Sequence, residues 1–133
     1  MKKQPKALEQ WHKVMSTGNA KMLSELLTDD VVFHSPVVHT PQKGKKITMA
    51  YLLAASQVLG GDGFTYVRKI IDKGNIVLEF TKEIDGILIN GVDIISYDEN
   101  DQITDFKVMV RPLKAVNMIH QKMGEMLMRM KNA

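Results

Sequence analysis

One carboxylate stands out in this chain because of the residues that surround it. Asp93 interrupts an otherwise apolar segment, residues 87–97, whose sequence is ILINGVDIISY. Burying a carboxylate without a partner is costly, so an acid in such a place is either paired or used in chemistry. Because desolvation disfavours the charged form, we predict that the pKa of Asp93 lies above its ordinary value of about 4.

Two interpretations of Asp93 are open on this evidence. In one, Asp93 is a neutral O–H donor that points into an apolar pocket, as the polar anchor of a ligand or as a catalytic group. In the other, Asp93 is ionised and structural, paired with Lys82 or Lys107 or bonded to backbone amides where Gly91 bends the strand. The first predicts that folding stability falls as pH rises through the acid range, and the second predicts that it rises.

The other titratable residues show no spacing that indicates a metal, a cofactor or a thiol nucleophile. The chain has no cysteine, and its four histidines form no His-x-x-x-His pair. Tyr97 and His34 are the residues that could exchange a proton with Asp93. Strand alternation, however, puts His34 on the side opposite Phe33 and away from a pocket. We therefore expect no metal and no cofactor.

Composition limits the class of protein. With 133 residues, of which 44% are hydrophobic and 25% charged, the chain has the size of one globular domain, predicted over residues 1–133. No apolar run approaches the ~20 residues that cross a bilayer. A net charge of +3 and an aromatic content of 6% do not favour nucleic-acid binding, so the lysines at 43, 45 and 46 are interpreted as a solvated loop. A cytoplasmic protein without nucleic-acid or membrane partners is expected.

Helices precede a series of strands along the chain. Helices are predicted over residues 5–17, after the cap residue Asn19, over 46–59 and after Pro112. Strands are predicted over 30–34, 64–71, 75–84, 87–97 and 103–110, with turn sequences such as Asp85-Gly86 between them. The Gly91 position inside a strand predicts a bulge or bend. This order predicts an α+β fold, in which a curved antiparallel sheet wraps around the N-terminal helices and a C-terminal helix follows.

The last two strands are apolar on both faces. Ile95 and Tyr97 share the face of Asp93, because side chains alternate along a strand. Val92 and Ile94 lie on the opposite, convex face, which also receives Met109 of the last strand. No predicted helix remains to cover that face, so a homodimer through it is expected.

The closing helix contains five of the ten methionines. Helical spacing predicts one buried stripe on it, formed by Leu113, Val116, His120, Met123, Leu127 and Met130. Methionine side chains re-pack easily around apolar partners. The sequence leaves open whether this helix is a lid, a core element or a dimer contact.

The order of elements and two short motifs carry a resemblance to a known family. The motifs are DDVVFHSPV, residues 29–37, at the end of the first strand, and D-x-I-x-x-F, residues 101–106, at the start of the last. The whole chain resembles the nuclear transport factor 2-like superfamily, also called SnoaL-like, ketosteroid isomerase-like or cystatin-like. The resemblance implies a cone-shaped α+β domain with an internal apolar pocket.

The resemblance also assigns positions to the chemistry of the family. In the steroid Δ-isomerase branch, a carboxylate base acts with an oxyanion hole made of a tyrosine and a protonated aspartic acid. The position of the base falls on Ser35, that of the tyrosine on Trp11 and that of the protonated acid on Asp93. The acid that epoxide hydrolases and polyketide cyclases carry on the last strand falls on Val108. The usual acid–base positions of the superfamily are thus empty, and Asp93 is the single candidate for a catalytic residue.

Two functions are therefore predicted. The first is a binding protein for a small, mostly apolar molecule, with Asp93 as the polar anchor. The second is an isomerase, dehydratase or cyclase that uses Asp93 on a small hydrophobic substrate. The predicted pocket, partly placed by the resemblance, consists of Trp11, Ser35, Leu52, Leu78, Phe80, Ile95, Tyr97, Phe106, Val108 and Val110.

Overall fold

The computed structural model describes residues 4–132, in which four helices and six strands follow one another. Their bounds are α1 Lys6–Thr17, α2 Ala20–Leu26, β1 Leu27–His34, β2 Gln42–Lys43, α3 Lys45–Leu59, β3 Thr65–Asp72, β4 Asn75–Ile84, β5 Ile87–Tyr97, β6 Ile103–Arg111 and α4 Leu113–Asn132. The predicted helices and long strands are confirmed to within a few residues, and the two-residue strand β2 is the element that the sequence did not predict. No helix within residues 4–132 is long and apolar enough to cross a membrane.

The strands form one curved sheet in the order β2-β1-β6-β5-β4-β3. Strands β3 to β6 are an antiparallel meander, as predicted. Strand β1 instead pairs in parallel with β6, with Phe33 opposite Phe106, so the sheet is mixed. The prediction of a wholly antiparallel sheet needs this one correction, because local periodicity does not tell which distant strands pair or in which direction.

Local sequence explains where the first elements begin and end. Gly18 adopts a left-handed φ of 67° and ends α1, which few other residues do without strain. The side chain of Asn19 then accepts a hydrogen bond from the backbone N–H of Met22 and caps α2. These two residues set the turn between α1 and α2, and α1 carries Trp11 on its buried side.

Two clusters of buried side chains lie along the concave face of the sheet. One gathers α1, α2 and β1 and contains Trp11, Phe33 and Phe106. The other gathers α3, α4 and the middle of the sheet and contains Phe80 and Ile119. A space between the two clusters remains unfilled, and it holds the candidate site described below.

Gly91 does not form the predicted bulge. Its register is unbroken on both sides, with Phe80 opposite on β4 and Val110 opposite on β6. A Cβ at Gly91 would lie 2.2 Å from Cζ of Phe80, so the glycine is required by the ring that lies on it. Glycine inside a strand marks either a bulge or a close approach, and here it marks the close approach.

The closing helix α4 buries a different stripe from the predicted one. Ala115 and Ile119 are buried, and Met123 packs beside them, whereas Leu113 is 74% exposed. His120 and Met130 are exposed as well. The prediction failed because apolar residues occur around nearly the whole helix, so that spacing alone does not select one face.

Candidate functional site

A small apolar cavity lies between the two core clusters. Its volume is about 60 Å³, room for about two water molecules. Side chains from α1, α3, α4, the β1–β2 loop and the concave face of the sheet enclose it. They are Trp11, Met15, Phe33, Ser35, Pro36, Val37, Tyr51, Leu52, Ala55, Leu59, Phe64, Phe80, Asp93, Phe106, Val108, Val110, Ile119 and Met123. Asp93 is the one ionisable carboxylate among these lining residues.

Asp93 is buried on the concave face of β5, and no cation among residues 4–132 forms an ion pair with it. Its side chain is 6% exposed and is flanked by Leu78 on β4 and Val108 on β6. Lys82 instead donates to the backbone carbonyls of Gly60 and Asp62, on the loop after α3. Among the described residues, neither Lys82 nor the backbone at Gly91 is bonded to the Asp93 side chain, whose hydrogen bond is with Tyr66.

Lys107 is also unable to pair with Asp93. It lies opposite Ile94 in the β5–β6 register and therefore points to the convex face. Its parity is that of Met109, which is 53% exposed. The two predicted cationic partners thus occupy other places in the fold.

A chain of hydrogen bonds connects Asp93 to the first helix. The indole Nε1–H of Trp11 donates to the hydroxyl of Tyr66 over 3.0 Å. The Tyr66 hydroxyl in turn donates to Oδ2 of Asp93 over 3.4 Å, which is long for an O–H···O bond. The hydrogen bond from Tyr66 uses Oδ2, none among the described residues uses Oδ1, and Asp93 is one of the residues that line the cavity. One carboxyl oxygen is thus held by the protein and the other is available to a ligand.

Burial sets the protonation of this network. It raises the pKa of Asp93 to about 7, and the hydrogen bond from Tyr66 lowers that pKa only in part. Burial also raises the pKa of Tyr66, and the neighbouring Asp93 charge raises it further, so Tyr66 stays a neutral phenol. Below about pH 7, Asp93 is therefore a neutral acid that can donate a hydrogen bond.

Tyr66 is the residue of this network that the sequence did not reveal. Simple alternation along β3 would put it on the same side as Arg68 and Ile70, which are exposed. The register shifts between Tyr66 and Arg68, and Val67 is the extra residue of this bulge. A bulge turns the strand by one residue, so Tyr66 points into the concave face. The aromatic pair Phe64 and Tyr66 was the only indication in the sequence.

The predicted pocket residues divide into two groups. Trp11, Ser35, Leu52, Phe80, Phe106, Val108 and Val110 line the cavity. Leu78 and Ile95 are fully buried in the first core cluster, and Tyr97 packs against it, so these three do not line the cavity. All three share the concave face with Asp93: Leu78 lies directly opposite it on β4, and Ile95 and Tyr97 lie farther toward the end of the sheet where Tyr97 meets Ile103.

Neither predicted proton partner reaches Asp93. His34 Nε2 lies 2.9 Å from Oδ1 of Asp105, on the opposite face of the sheet, as alternation predicted for His34. The hydroxyl that reaches Asp93 belongs to Tyr66 and not to Tyr97. Among residues 4–132 there is also no group of three or more His, Asp or Glu side chains that could hold a metal ion.

Ser35 follows β1 directly and lines the cavity together with Asp93 and Val108. At the last position of β1, His34 is opposite Lys107 of β6, and on the next strand Asp93 is opposite Val108. The Ser35 Oγ accepts a hydrogen bond from the N–H of Val37 and lines the cavity. These three lining residues supply one acid, one hydroxyl and no second ionisable group.

Comparisons with known proteins agree with this geometry. No protein-family model matches the sequence, and no curated protein matches it either. Among solved structures, a steroid delta-isomerase from Pseudomonas aeruginosa is 31% identical with a TM-score of 0.86, over 96% of this chain and 93% of that one. A protein with a cystatin-like fold from Silicibacter pomeroyi is 27% identical with a TM-score of 0.83, over 92% and 85%.

A more distant neighbour shows the fold alone. It is an NTF2-like protein of unknown function from Mesorhizobium loti, 14% identical with a TM-score of 0.68, over 80% of this chain and 88% of that one. The fold, the cavity and these similarities identify the chain as a member of the nuclear transport factor 2-like superfamily.

The protonation of Asp93 predicts how stability depends on pH. The unfolded chain loses this proton near pH 3.8, but the folded protein only near pH 7. The folded state binds more protons in this window, so the free energy of unfolding falls as pH rises through it and stays reduced above it. We expect Asp93→Asn to gain stability relative to wild type across the window, on the order of a few kcal/mol.

Chemical denaturation between about pH 4 and pH 8 measures this difference. Glu99→Gln is the matched control, because Glu99 is exposed in the β5–β6 turn and its curve should run parallel to that of wild type. If Asp93→Asn instead loses stability near neutral pH, Asp93 is an ionised structural residue and the interpretation as a neutral donor is wrong.

Proposed function

We propose that this protein binds a small, mostly apolar molecule through one oxygen acceptor, with Asp93 as the polar anchor. The observation that carries the proposal is a buried acid, neutral below about pH 7, whose Oδ1 takes part in no hydrogen bond among the described residues and whose cavity is otherwise lined, apart from Ser35, by apolar and aromatic side chains. A buried donor without a partner favours a ligand that supplies an acceptor such as a carbonyl oxygen.

The size of the cavity restricts the ligand. A cavity of roughly 150 Å³ holds benzene, and the space here is about 60 Å³. A ring-sized ligand therefore requires lining side chains to move. Met15 and Met123 are suited to this, because methionine has three rotatable bonds and packs in many shapes.

Two ligands of the same shape test the proposal. Cyclohexanone and methylenecyclohexane differ only in whether an oxygen acceptor is present. We expect the ketone to bind about tenfold more tightly below pH 7, as one hydrogen bond to a buried donor gives about 1.4 kcal/mol. In wild type, the preference for the ketone should disappear above the pKa of Asp93. In Asp93→Asn, the preference should remain unchanged at high pH, because an amide does not titrate.

Fluorescence of Trp11, the single tryptophan and a lining residue, provides the binding signal. Equal affinity for the two compounds at every pH would refute Asp93 as the anchor. Binding of neither compound, while the protein remains folded, would refute a small apolar ligand of this size.

A second candidate function is an enzyme of the isomerase, dehydratase or cyclase type that acts on a small hydrophobic substrate. It is supported by the similarity to a steroid delta-isomerase and by the raised pKa of Asp93. Ser35 and Val108 weigh against it, because they occupy the positions to which the resemblance assigns the base and the acid of the family, and neither can exchange a proton near neutral pH.

Isomerisation of cyclohex-3-en-1-one to the conjugated ketone separates the two functions. The reaction moves one proton between two carbons, and ultraviolet absorption of the conjugated product follows it. We expect no rate above buffer for wild type and a measurable rate for Ser35→Asp, because the aspartate supplies the missing base across from Asp93. Turnover by wild type that Asp93→Asn abolishes would establish the enzyme instead.

We also propose that two copies associate through the convex face of the sheet. On this face Ile70, Val77 and Ile94 form an apolar row across β3, β4 and β5, next to the pair Val92 and Met109. An ion pair between Arg68 and Glu79 and hydrogen bonds of Asn90 border the row. An apolar centre with a polar rim is the usual composition of a protein interface.

Light scattering tests the association. We expect wild type to have twice the mass of the 15.0 kDa chain at micromolar concentration. Ile94→Glu should give monomers, because the charge would face its own copy, whereas Met128→Glu on the exposed end of α4 should leave the mass unchanged. A wild-type mass of one chain at all concentrations would refute the dimer.

A further inference from the structure

We propose that Trp11 fixes the direction of the hydrogen-bond chain, so that the proton of Asp93 is directed to the cavity and not to Tyr66. The inference rests on the proposed binding function and assigns Trp11 and Tyr66 as positioning residues. In these roles, Trp11 and Tyr66 keep the O–H of Asp93 available as a donor before a ligand binds.

The chemistry of the indole group determines the direction. An indole N–H donates a hydrogen bond and cannot accept one, so the Tyr66 oxygen must be the acceptor of the 3.0 Å bond. A phenol hydroxyl keeps its proton in the ring plane, which leaves one in-plane acceptor position, and Trp11 occupies it. The proton of Tyr66 is then directed to its other neighbour, Oδ2 of Asp93.

The consequence falls on Asp93. The carboxyl oxygen that accepts the hydrogen bond from Tyr66 is the less favourable of the two oxygens for the proton of the acid itself. That proton therefore belongs on Oδ1, which takes part in no hydrogen bond among the described residues, on a side chain that lines the cavity. Without the indole donor, the Tyr66 oxygen could accept a hydrogen bond from the O–H of Asp93. The acid would then donate its hydrogen bond within the protein and not to a ligand.

Other charged groups near the chain do not alter this direction. Tyr66 lies 5.5 Å from the ring of His12 on α1, measured between ring centroids. Burial and the charge of Lys69 lower the pKa of His12 below 6.5, so His12 is neutral above that pH. From β4 and β6, the neighbours opposite Asp93 are Leu78 and Val108, which are uncharged.

The proposed role of Trp11 predicts how three variants change the preference for the ketone. Trp11→Phe removes the donor, so Asp93 can donate to Tyr66, and the preference for cyclohexanone over methylenecyclohexane should fall from about tenfold to about twofold. Tyr66→Phe removes the competing acceptor, so the preference should persist. The double variant should recover the preference that Trp11→Phe lost. Tritiated or NMR-detected ligand replaces tryptophan fluorescence in this series.

The ratio of the two affinities separates this role from packing. Trp11→Phe also enlarges the cavity, but this changes both affinities together and leaves the ratio unaffected. Val110→Ala is the matched control, since it enlarges the cavity at another lining residue and should keep the full ratio. A Trp11→Phe variant with an unchanged ratio, or a double variant no better than Trp11→Phe, would overturn the inference.

A titration tests the same direction if Trp11→Phe does not fold. The hydrogen bond from Tyr66 lowers the pKa of Asp93, so Tyr66→Phe should raise that pKa in carbon-13 NMR of the carboxyl group. A fall would mean that Asp93 donates to Tyr66 in wild type, which contradicts the inference. Loss of ketone preference in wild type would instead refute the proposed function, so the two failures are distinguishable.

Discussion

The desolvation of one carboxyl group is the constraint on which the site depends. Asp93 lies on the concave face of the sheet between Leu78 and Val108, and the polar side-chain group that reaches it among residues 4–132 is the Tyr66 hydroxyl. A cation beside it would have made it a structural ion pair. In the absence of one among residues 4–132, the acid keeps its proton to about pH 7 and remains a donor. The apolar lining thus raises the pKa of Asp93 in addition to enclosing the cavity.

The fold supplies this environment through three long-range features. The bulge at Val67 turns Tyr66 inward, Gly91 leaves space for the ring of Phe80, and α1 brings Trp11 onto the concave face. Each feature places a rigid aromatic group around the acid. In an oxyanion hole two donors contact the same oxygen, whereas here Trp11 donates to Tyr66 and Tyr66 donates to Asp93, so the donors form a chain.

The sequence predicted the secondary-structure elements and the buried position of Asp93, but not the full hydrogen-bond network around it. Alternation in β5 placed Asp93 on the concave face and predicted the direction of its pKa shift, because both depend on local pattern and burial. Tyr66 was missed since a bulge reverses alternation, and a bulge leaves no clear pattern in the residues that form it. The parallel pairing of β1 with β6 and the buried stripe of α4 depend on tertiary packing, which local spacing does not encode.

The parallel pair of β1 and β6 also has a consequence for folding. Phe33 pairs with Phe106, so nearly all of the sheet-forming chain separates two strands that must meet. Closing so long a loop carries an entropic cost, and contacts of this kind form late. Phe106, Val108 and Val110 of β6 also complete the cavity wall. The helix with Trp11 and the strand with Phe33 precede β6 in the chain, so the wall of the cavity closes only after β6 has been made and has paired with β1.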